Sequence, residues 1–177
     1  MRFSAFTAAP VPWKNGGGVT RELAVQKENG RQVWRLSLAD ITRDGAFSAF
    51  PGLARIHCIV EGPGHVLSNA ETRLEASLLE PLTFDGNLAL DCRLRGGACK
   101  AFNVIYDPEL VAAQARVLRD GKLPEVTGSQ VFFVVSGSLD LSEQGRYGPG
   151  EGQATDGATS GAVSGGGAVI HVWFQPV

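Results

Sequence analysis

The segment Trp13-Lys14-Asn15-Gly16-Gly17-Gly18-Val19-Thr20-Arg21-Glu22-Leu23 joins a turn signal to the first clear strand signal. Glycine loses more backbone freedom on folding than any other residue, and it permits positive φ and close backbone approach. One interpretation is a tight turn before a strand. The other is a small-ligand site lined by backbone N–H groups. A P-loop is not indicated, because a strand, and not a helix opened by Lys-Ser/Thr, follows the glycines.

The rest of the chain repeats this alternation of turns and short apolar runs. With 23 Gly and 9 Pro in 177 residues and few helix-length amphipathic patterns, it is predicted to be all-β. Residues 107–118 are compatible with a helix or with a helical turn and a strand, and the strand is favoured. Residues 151–167 are either a flexible loop or strands of low side-chain content. Strands are predicted at residues 19–26, 33–41, 54–60, 65–67, 74–79, 82–84, 89–94, 98–105, 115–119, 131–136, 138–141 and 167–174.

Residues 34–41 alternate strictly. Trp34, Leu36, Leu38 and Asp40 share one face, and Arg35, Ser37, Ala39 and Ile41 share the other. If the bulkier face packs in a core, Arg35 and Ser37 point outward or into a cavity. The following loop, residues 44–52, carries Phe47 and Phe50 and is interpreted as a lid or plug.

Two segments of the chain resemble each other. Residues 59–67 and 134–141 each comprise an apolar strand, a glycine-centred hairpin and a second short strand, and Gly62 and Gly137 are 75 residues apart. A proline turn follows each segment. This order predicts a duplicated barrel or jelly roll.

Three segments carry a more specific resemblance: residues 13–22, residues 34–52, and Phe102-Asn103-Val104-Ile105. Their order and spacing resemble the HutD/Ves family. The resemblance implies a cupin-type double β-barrel (bicupin, jelly-roll-like) with little helix. We expect a first barrel at residues 1–106 and a second, smaller one at residues 107–177, with the terminal strands shared.

The same resemblance implies an association with histidine utilisation or stress response, no established catalysis, and a small acidic ligand such as formate or formylglutamate. Arginine can clamp a carboxylate through two parallel N–H bonds, which makes Arg21, Arg35 and Arg55 candidate anchors. The chain departs from the family pattern at Ala54, Ala101 and Asn87, where acids are usual. The full predicted ligand-binding set is Asn15, Gly16, Gly17, Gly18, Thr20, Arg21, Glu22, Arg35, Ser37, Ser48, Phe50, Arg55 and Asn103.

Metal and nucleophile sites are not predicted. The chain has three histidines, His57, His65 and His171, and no His-x-His pair, so neither a metal nor another cofactor is expected. Cys58 alternates with apolar residues and is interpreted as a buried thiol. No catalytic residue is assigned. Two alternatives to a ligand-binding sensor or governor of histidine utilisation stay open: a metal-free enzyme using Glu22 or Asp40, and a structural or interaction protein without a ligand.

Composition limits the partners. A net charge of −2 and a pI near 5.9 give no basic surface for nucleic acid. There is no apolar run of about 18 residues to cross a membrane and no signal-peptide pattern, so a cytoplasmic location is expected. Three cysteines without C-x-x-C spacing suggest neither disulfides nor zinc. The expected partner is a small-molecule carboxylate, and pairing through sheet edges is compatible with a homodimer.

Overall fold

The computed structural model describes all 177 residues as β-strands, turns and loops. No helix in it is long and apolar enough to cross a membrane. The 17 strands are β1 (Arg2–Ser4), β2 (Pro10–Pro12), β3 (Gly18–Glu28), β4 (Arg31–Ile41), β5 (Gly45–Phe47), β6 (Ala54–Glu61), β7 (His65–Ser68), β8 (Arg73–Ala76), β9 (Leu82–Asp85), β10 (Leu90–Leu94), β11 (Cys99–Tyr106), β12 (Val111–Leu118), β13 (Gly121–Lys122), β14 (Ser129–Leu141), β15 (Gly145–Tyr147), β16 (Glu151–Asp156) and β17 (Gly161–Pro176).

The strands form two units. The N-terminal unit comprises Ala8–Leu110, and the C-terminal unit comprises Val111–Val177 together with Met1–Thr7. The division falls after Leu110, a few residues beyond the position expected from the sequence. Residues 1–7 join the C-terminal unit because β1 pairs with β16.

The N-terminal unit contains two antiparallel sheets. The larger has the order β2-β3-β4-β11-β6-β9, and the smaller has the order β5-β10-β7-β8. Both contribute to one apolar core, in which Ala39, Ile59 and Ala101 of the larger sheet pack with Leu67 and Leu90 of the smaller. The two sheets therefore form the closed sandwich expected of a small barrel.

The C-terminal unit has one sheet of order β1-β16-β14-β17-β12, with β13 and β15 added to β17 and β14. Residues 111–118 form strand β12, as favoured from the sequence. Residues 151–167, left open between loop and strands, lie largely in β16 and the first half of β17. Close packing requires glycine at two of these positions, since a Cβ on Gly152 would lie 2.3 Å from Phe3 Cζ and one on Gly161 would lie 2.1 Å from the Asp140 carbonyl oxygen.

The two repeated glycines do not form hairpins, so that part of the prediction is wrong. Gly62 follows β6, and the chain then enters β7, which belongs to the other sheet. Gly137 lies at a bulge inside the continuous strand β14. Both residues have positive φ, and a Cβ on either would lie 2.4 Å from a carbonyl oxygen, that of Ala98 or Ser164. The repeat therefore marks two sites of close backbone approach.

This close approach predicts a large stability loss for Gly62→Ala. Positive φ costs a non-glycine residue about 1–2 kcal/mol, and overpacking adds about 1–3 kcal/mol. We expect the free energy of unfolding, measured by urea denaturation, to fall by about 3 kcal/mol. Gly30→Ala is the matched control, because Gly30 has φ +80° but open space where its Cβ would lie. Equal losses for the two variants would contradict the packing argument.

Candidate ligand-binding site

Strand pairing places several polar side chains next to one another on one face of the larger sheet. Cross-strand partners in an antiparallel sheet project to the same side. The apolar row Ala39, Ala101 and Ile59 lies on this face and belongs to the core, so the face is the inner one. The next row along it is polar and comprises Ser37, Asn103 and His57. In the row after that, Arg35 and Arg55 flank Ile105.

Arg55 is the most unusual side chain on this face. It is 6% exposed and forms no ion pair with any carboxylate. Its Nε and Nη2 donate to Asn103 Oδ1 at 3.2 and 2.8 Å, and its Nη1 donates to the Ser48 carbonyl oxygen at 3.3 Å. Burial, and secondarily the charge of Arg35, lowers the pKa of Arg55 to about 9, which leaves it a cation at neutral pH.

Aromatic rings surround this guanidinium. Its central carbon lies 4.1 Å from the ring centre of Phe47, 5.4 Å from that of Phe50 and 5.7 Å from that of Phe84. Aromatic faces attract cations, but they cannot accept all of the in-plane N–H bonds. Arginine has five N–H donors, and the contacts above use three, so two have no acceptor.

A chain of buried hydrogen bonds leads away from Arg55. His57 Nδ1 lies 2.7 Å from Asn103 Oδ1, His57 Nε2 lies 3.0 Å from His65 Nε2, and His65 Nδ1 lies 3.3 Å from Cys99 Sγ. Because Asn103 Oδ1 can only accept, His57 carries its proton on Nδ1. His65 therefore donates from Nε2, and the Cys99 thiol donates to His65 Nδ1. In this arrangement all four ring nitrogens have a partner and both imidazoles are neutral.

The pKa shifts agree with this proton arrangement. Burial, then the charge of Arg55, lowers the pKa of His57 well below 6.5 and that of His65 to about 4. Burial raises the pKa of the Cys99 thiol to about 11. The chain Cys99–His65–His57–Asn103 is therefore uncharged at neutral pH, and it supplies Arg55 with a neutral acceptor and no counter-ion.

The other two candidate arginines differ from Arg55. Arg35 donates from Nε to Glu22 Oε2 at 2.7 Å, and Arg21 pairs with Asp40. Both pairs are partly exposed. Arg21 pairs across the sheet with Leu38 and thus lies on the face opposite Arg55.

The glycine segment forms a turn between β2 and β3. Its amides are bonded within it: Trp13 N donates to Gly18 O, Gly16 N to Trp13 O, and Gly17 N to Asn15 Oδ1. Gly18 is required there, because a Cβ would lie 2.2 Å from Asp40 O. The geometry therefore favours the turn over an anion site made of glycine amides.

Two open clefts adjoin these segments. A cleft of about 390 Å³ is lined by Pro12, Trp13, Lys14, Asn15, Ala46, Phe47 and Ser48. Two of these residues, Phe47 and Ser48, also contact Arg55. A second cleft of about 420 Å³ is lined by Ala9, Val11, Trp13, Thr20, Glu22 and Arg35. Trp13 borders both clefts and donates from Nε1 to Thr20 Oγ1 at 2.7 Å.

The structure thus brings together part of the predicted set. Glu22, Arg35, Ser37, Arg55 and Asn103 share the inner face with Thr20, and Ser48 and Phe50 border Arg55. Asn15 lines the adjoining cleft, Gly16, Gly17 and Gly18 lie in the turn, and Arg21 lies on the other face.

Sequence reasoning missed His57, His65 and Cys99 as site residues. Alternation along β6 was the available signal for His57, since it puts His57 on the same face as Arg55.

The departures from the family pattern lie at distinct places. Ala101 is fully buried between Ala39 and Ile59 in the apolar row of the inner face. Asn87 Oδ1 accepts a hydrogen bond from Gly52 N in the loop before β6.

The inner-face donors do not suit a transition metal. A metal needs free imidazole nitrogens or carboxylates converging on one point. All four nitrogens of His57 and His65 are engaged by Asn103, by each other or by Cys99. No group of three or more His, Cys, Asp or Glu side chains could hold an ion.

Two β-units, one of them a two-sheet sandwich with a polar inner face, define a protein of the cupin fold class. Protein YlbA from E. coli has this fold and superposes with a TM-score of 0.74 over 98% of this chain and 90% of its own, at 8% identity. That likeness concerns the fold alone.

The chain belongs to the HutD family, whose model matches residues 5–164. An uncharacterized 21.2 kDa protein in the hutC 3′ region of Pseudomonas putida is 34% identical over 141 residues, 77% of this chain and 74% of that protein. HutD from Pseudomonas fluorescens SBW25, described in a formate condition, has a TM-score of 0.85 at 30% identity and covers 99% of this chain and 98% of its own.

Proposed function

We propose that the N-terminal unit binds a small carboxylate, of the formate or formylglutamate kind, on Arg55. The observation that carries the proposal is a buried, charged guanidinium without a carboxylate partner. Burying an unpaired charge is unfavourable, and breaking a buried pair typically costs about 3–5 kcal/mol. A ligand carboxylate would supply the missing counter-ion and the acceptors for the two N–H groups that have none.

The surroundings of Arg55 support the binding of a small acid. Phe47, Phe50 and Phe84 cover the guanidinium and exclude water, which strengthens a charge interaction there. Arg35 is close enough to lower the pKa of Arg55, and its own charge is paired with Glu22. Ser37 and the Ser48 segment complete the polar rim.

The role that follows is a sensor or governor of histidine utilisation and not a catalyst. Membership of the HutD family and the relative in the hutC 3′ region support the pathway. The formate condition of the Pseudomonas fluorescens protein supports the ligand class. Glu22 and Asp40, the carboxylates considered for acid–base chemistry, are each paired with an arginine, which favours a structural role.

Calorimetric titration with formate and N-formylglutamate tests the proposal. Formate has only three non-hydrogen atoms, and at a ceiling of about 1.5 kcal/mol per atom its Kd is about 1 mM at best. N-formylglutamate, with more contacts, is expected to bind more tightly. Arg55→Gln should reduce affinity for both acids by at least about tenfold, since a charge-assisted bidentate contact is lost.

Arg21→Gln is the control, because it removes an equal charge on the opposite face of the sheet. Arg55→Lys keeps the charge but not the planar fork, and is expected to show intermediate affinity. Thermal unfolding establishes that each variant is folded. The proposal would be overturned if the wild-type protein bound neither acid detectably. It would also be overturned if the Arg55→Gln and Arg21→Gln variants bound the acids with equal affinity.

A further inference from the structure

The C-terminal unit contains a second arginine–imidazole–amide cluster. Arg116 of β12 pairs across the sheet with His171 of β17, and His171 pairs with Phe132 of β14. Gln130, two residues before Phe132, therefore projects from the same face. These side chains parallel Arg55, His57 and Asn103 in kind: an arginine, a buried histidine and a buried amide.

Hydrogen-bond directions in this cluster are fixed by Gln130. Its Nε2 donates to the carbonyl oxygens of Val126 and Gly157 at 2.9 and 2.8 Å, so its Oε1 is the acceptor that faces His171 Nε2 at 2.9 Å. His171 is thus protonated on Nε2, and its Nδ1 accepts from Arg116 Nε at 3.3 Å. Burial, then the charge of Arg116, lowers the pKa of His171 to about 4, so the imidazole is neutral.

The guanidinium of Arg116 is left incompletely paired. Its Nη2 is buried and has no hydrogen-bond partner, and Arg116 forms no ion pair with a carboxylate. The Trp173 ring covers it at 4.8 Å from the ring centre. A buried donor without an acceptor costs about 1–3 kcal/mol, and more when the group is charged. Because Nε is taken by His171, an acceptor would contact the edge formed by Nη1 and Nη2, of which Nη2 is enclosed by the protein.

We propose that this cluster is a second anion site, in which the Nη edge of Arg116 takes a small carboxylate. The neutral His171–Gln130 pair orients the guanidinium without cancelling its charge, and Trp173 shields one face of it. This site lies outside the residues that carry the proposed function, and neither inference depends on the other. The second site would lie in the C-terminal unit, whereas the sequence predicts a site in the first barrel only.

The test uses the full-length protein with ¹⁵N-labelled arginine and formate as the probe. Nε–H resonances of Arg55 and Arg116 are assigned by their loss in Arg55→Gln and Arg116→Gln. The expected result is a saturable formate-induced shift of the Arg116 resonance that persists in Arg55→Gln. An Arg116 resonance that does not respond to saturating formate overturns the proposal, whatever Arg55 does.

A measurement on the unaltered protein covers the case in which Arg116→Gln does not fold. Crystals soaked in 3-bromopropionate, a carboxylate with an anomalous scatterer, should show a bromine peak beside Arg116 with the carboxylate on Nη1 and Nη2. A peak at Arg55 alone would contradict the second site and support the first. A peak at Arg116 alone would support the second site and contradict the first. The experiment therefore distinguishes failure of one proposal from failure of the other.

Discussion

Between pH 6.5 and pH 5 the free energy of unfolding is expected to fall steeply. All three histidines are fully buried, and burial lowers the pKa of His65 and His171 to about 4 and that of His57 well below 6.5. In this window the unfolded state binds protons that the folded state cannot, so stability rises with pH and is lost as the pH falls. Each histidine contributes up to about 1.4 kcal/mol per pH unit, a limit that is approached as the unfolded imidazole becomes fully protonated.

The summed contribution of the three histidines is large relative to the total free energy of unfolding. Over the window three histidines together contribute about 5 kcal/mol, whereas a typical domain is stable by about 5–15 kcal/mol. Urea denaturation at half-unit steps from pH 7.5 to pH 5 measures the slope, at pH values above the usual range of carboxylates.

His171→Gln is the matched variant for this pH experiment. It removes one titrating group from the C-terminal unit and leaves His57 and His65 in place. The mean slope should then decrease by about 1 kcal/mol per pH unit, because one histidine no longer takes up a proton on unfolding. A stability that is flat between pH 6.5 and pH 5 would show that the imidazoles are protonated in the folded state. The hydrogen-bond directions assigned from Cys99 to Asn103 would then be wrong.

Sequence patterns predicted the long strands but not the three-residue strands. Strict alternation in residues 34–41 predicted β4, and its bulky residues Trp34, Leu36 and Leu38 are buried as expected. Arg35 and Ser37 lie on the other face, which contributes to the core shared with the smaller sheet. The three-residue strands β1, β2 and β5 are too short to show a period. β2 in addition contains Pro10 and Pro12, which are tolerated because it is the edge strand of its sheet.

The candidate site was only partly predictable, because its contacts depend on which strands lie next to each other. Asn103 lies in a motif segment, and Arg55 lies just beyond one and can clamp a carboxylate, so both were predictable as ligand-binding residues. Which arginine lacks a counter-ion depends on strand pairing. The pairing of β3 with β4 brings Glu22 to Arg35, whereas the pairing of β6 with β9 puts Phe84 opposite Arg55. The contact between the two histidines is harder to predict from the sequence, since His57 and His65 lie in different sheets. Local patterns do not specify which strands face each other.

Asn103→Asp is expected to abolish carboxylate binding while preserving the shape of the site. Asn103 Oδ1 accepts from Arg55 Nε, Arg55 Nη2 and His57 Nδ1. A carboxylate at that position would become the missing counter-ion of Arg55, in a geometry already set for two N–H bonds. The ligand would then meet a neutralised cation and a nearby negative charge. We expect at least a hundredfold loss of affinity for formate and N-formylglutamate, about 2.7 kcal/mol.

Asn69→Asp is the control, because it makes the same chemical change at an exposed asparagine whose Oδ1 accepts from Glu71 N and Thr72 N. Calorimetry on both variants separates an internal counter-ion from a general effect of one added negative charge. Because the new carboxylate of Asn103→Asp also contacts His57, it should raise the pKa of that imidazole and flatten the slope of stability against pH. Unchanged affinity combined with a flattened slope would place the ligand away from Arg55. Unchanged affinity and slope would mean that Asn103 does not contact Arg55 and His57 in solution.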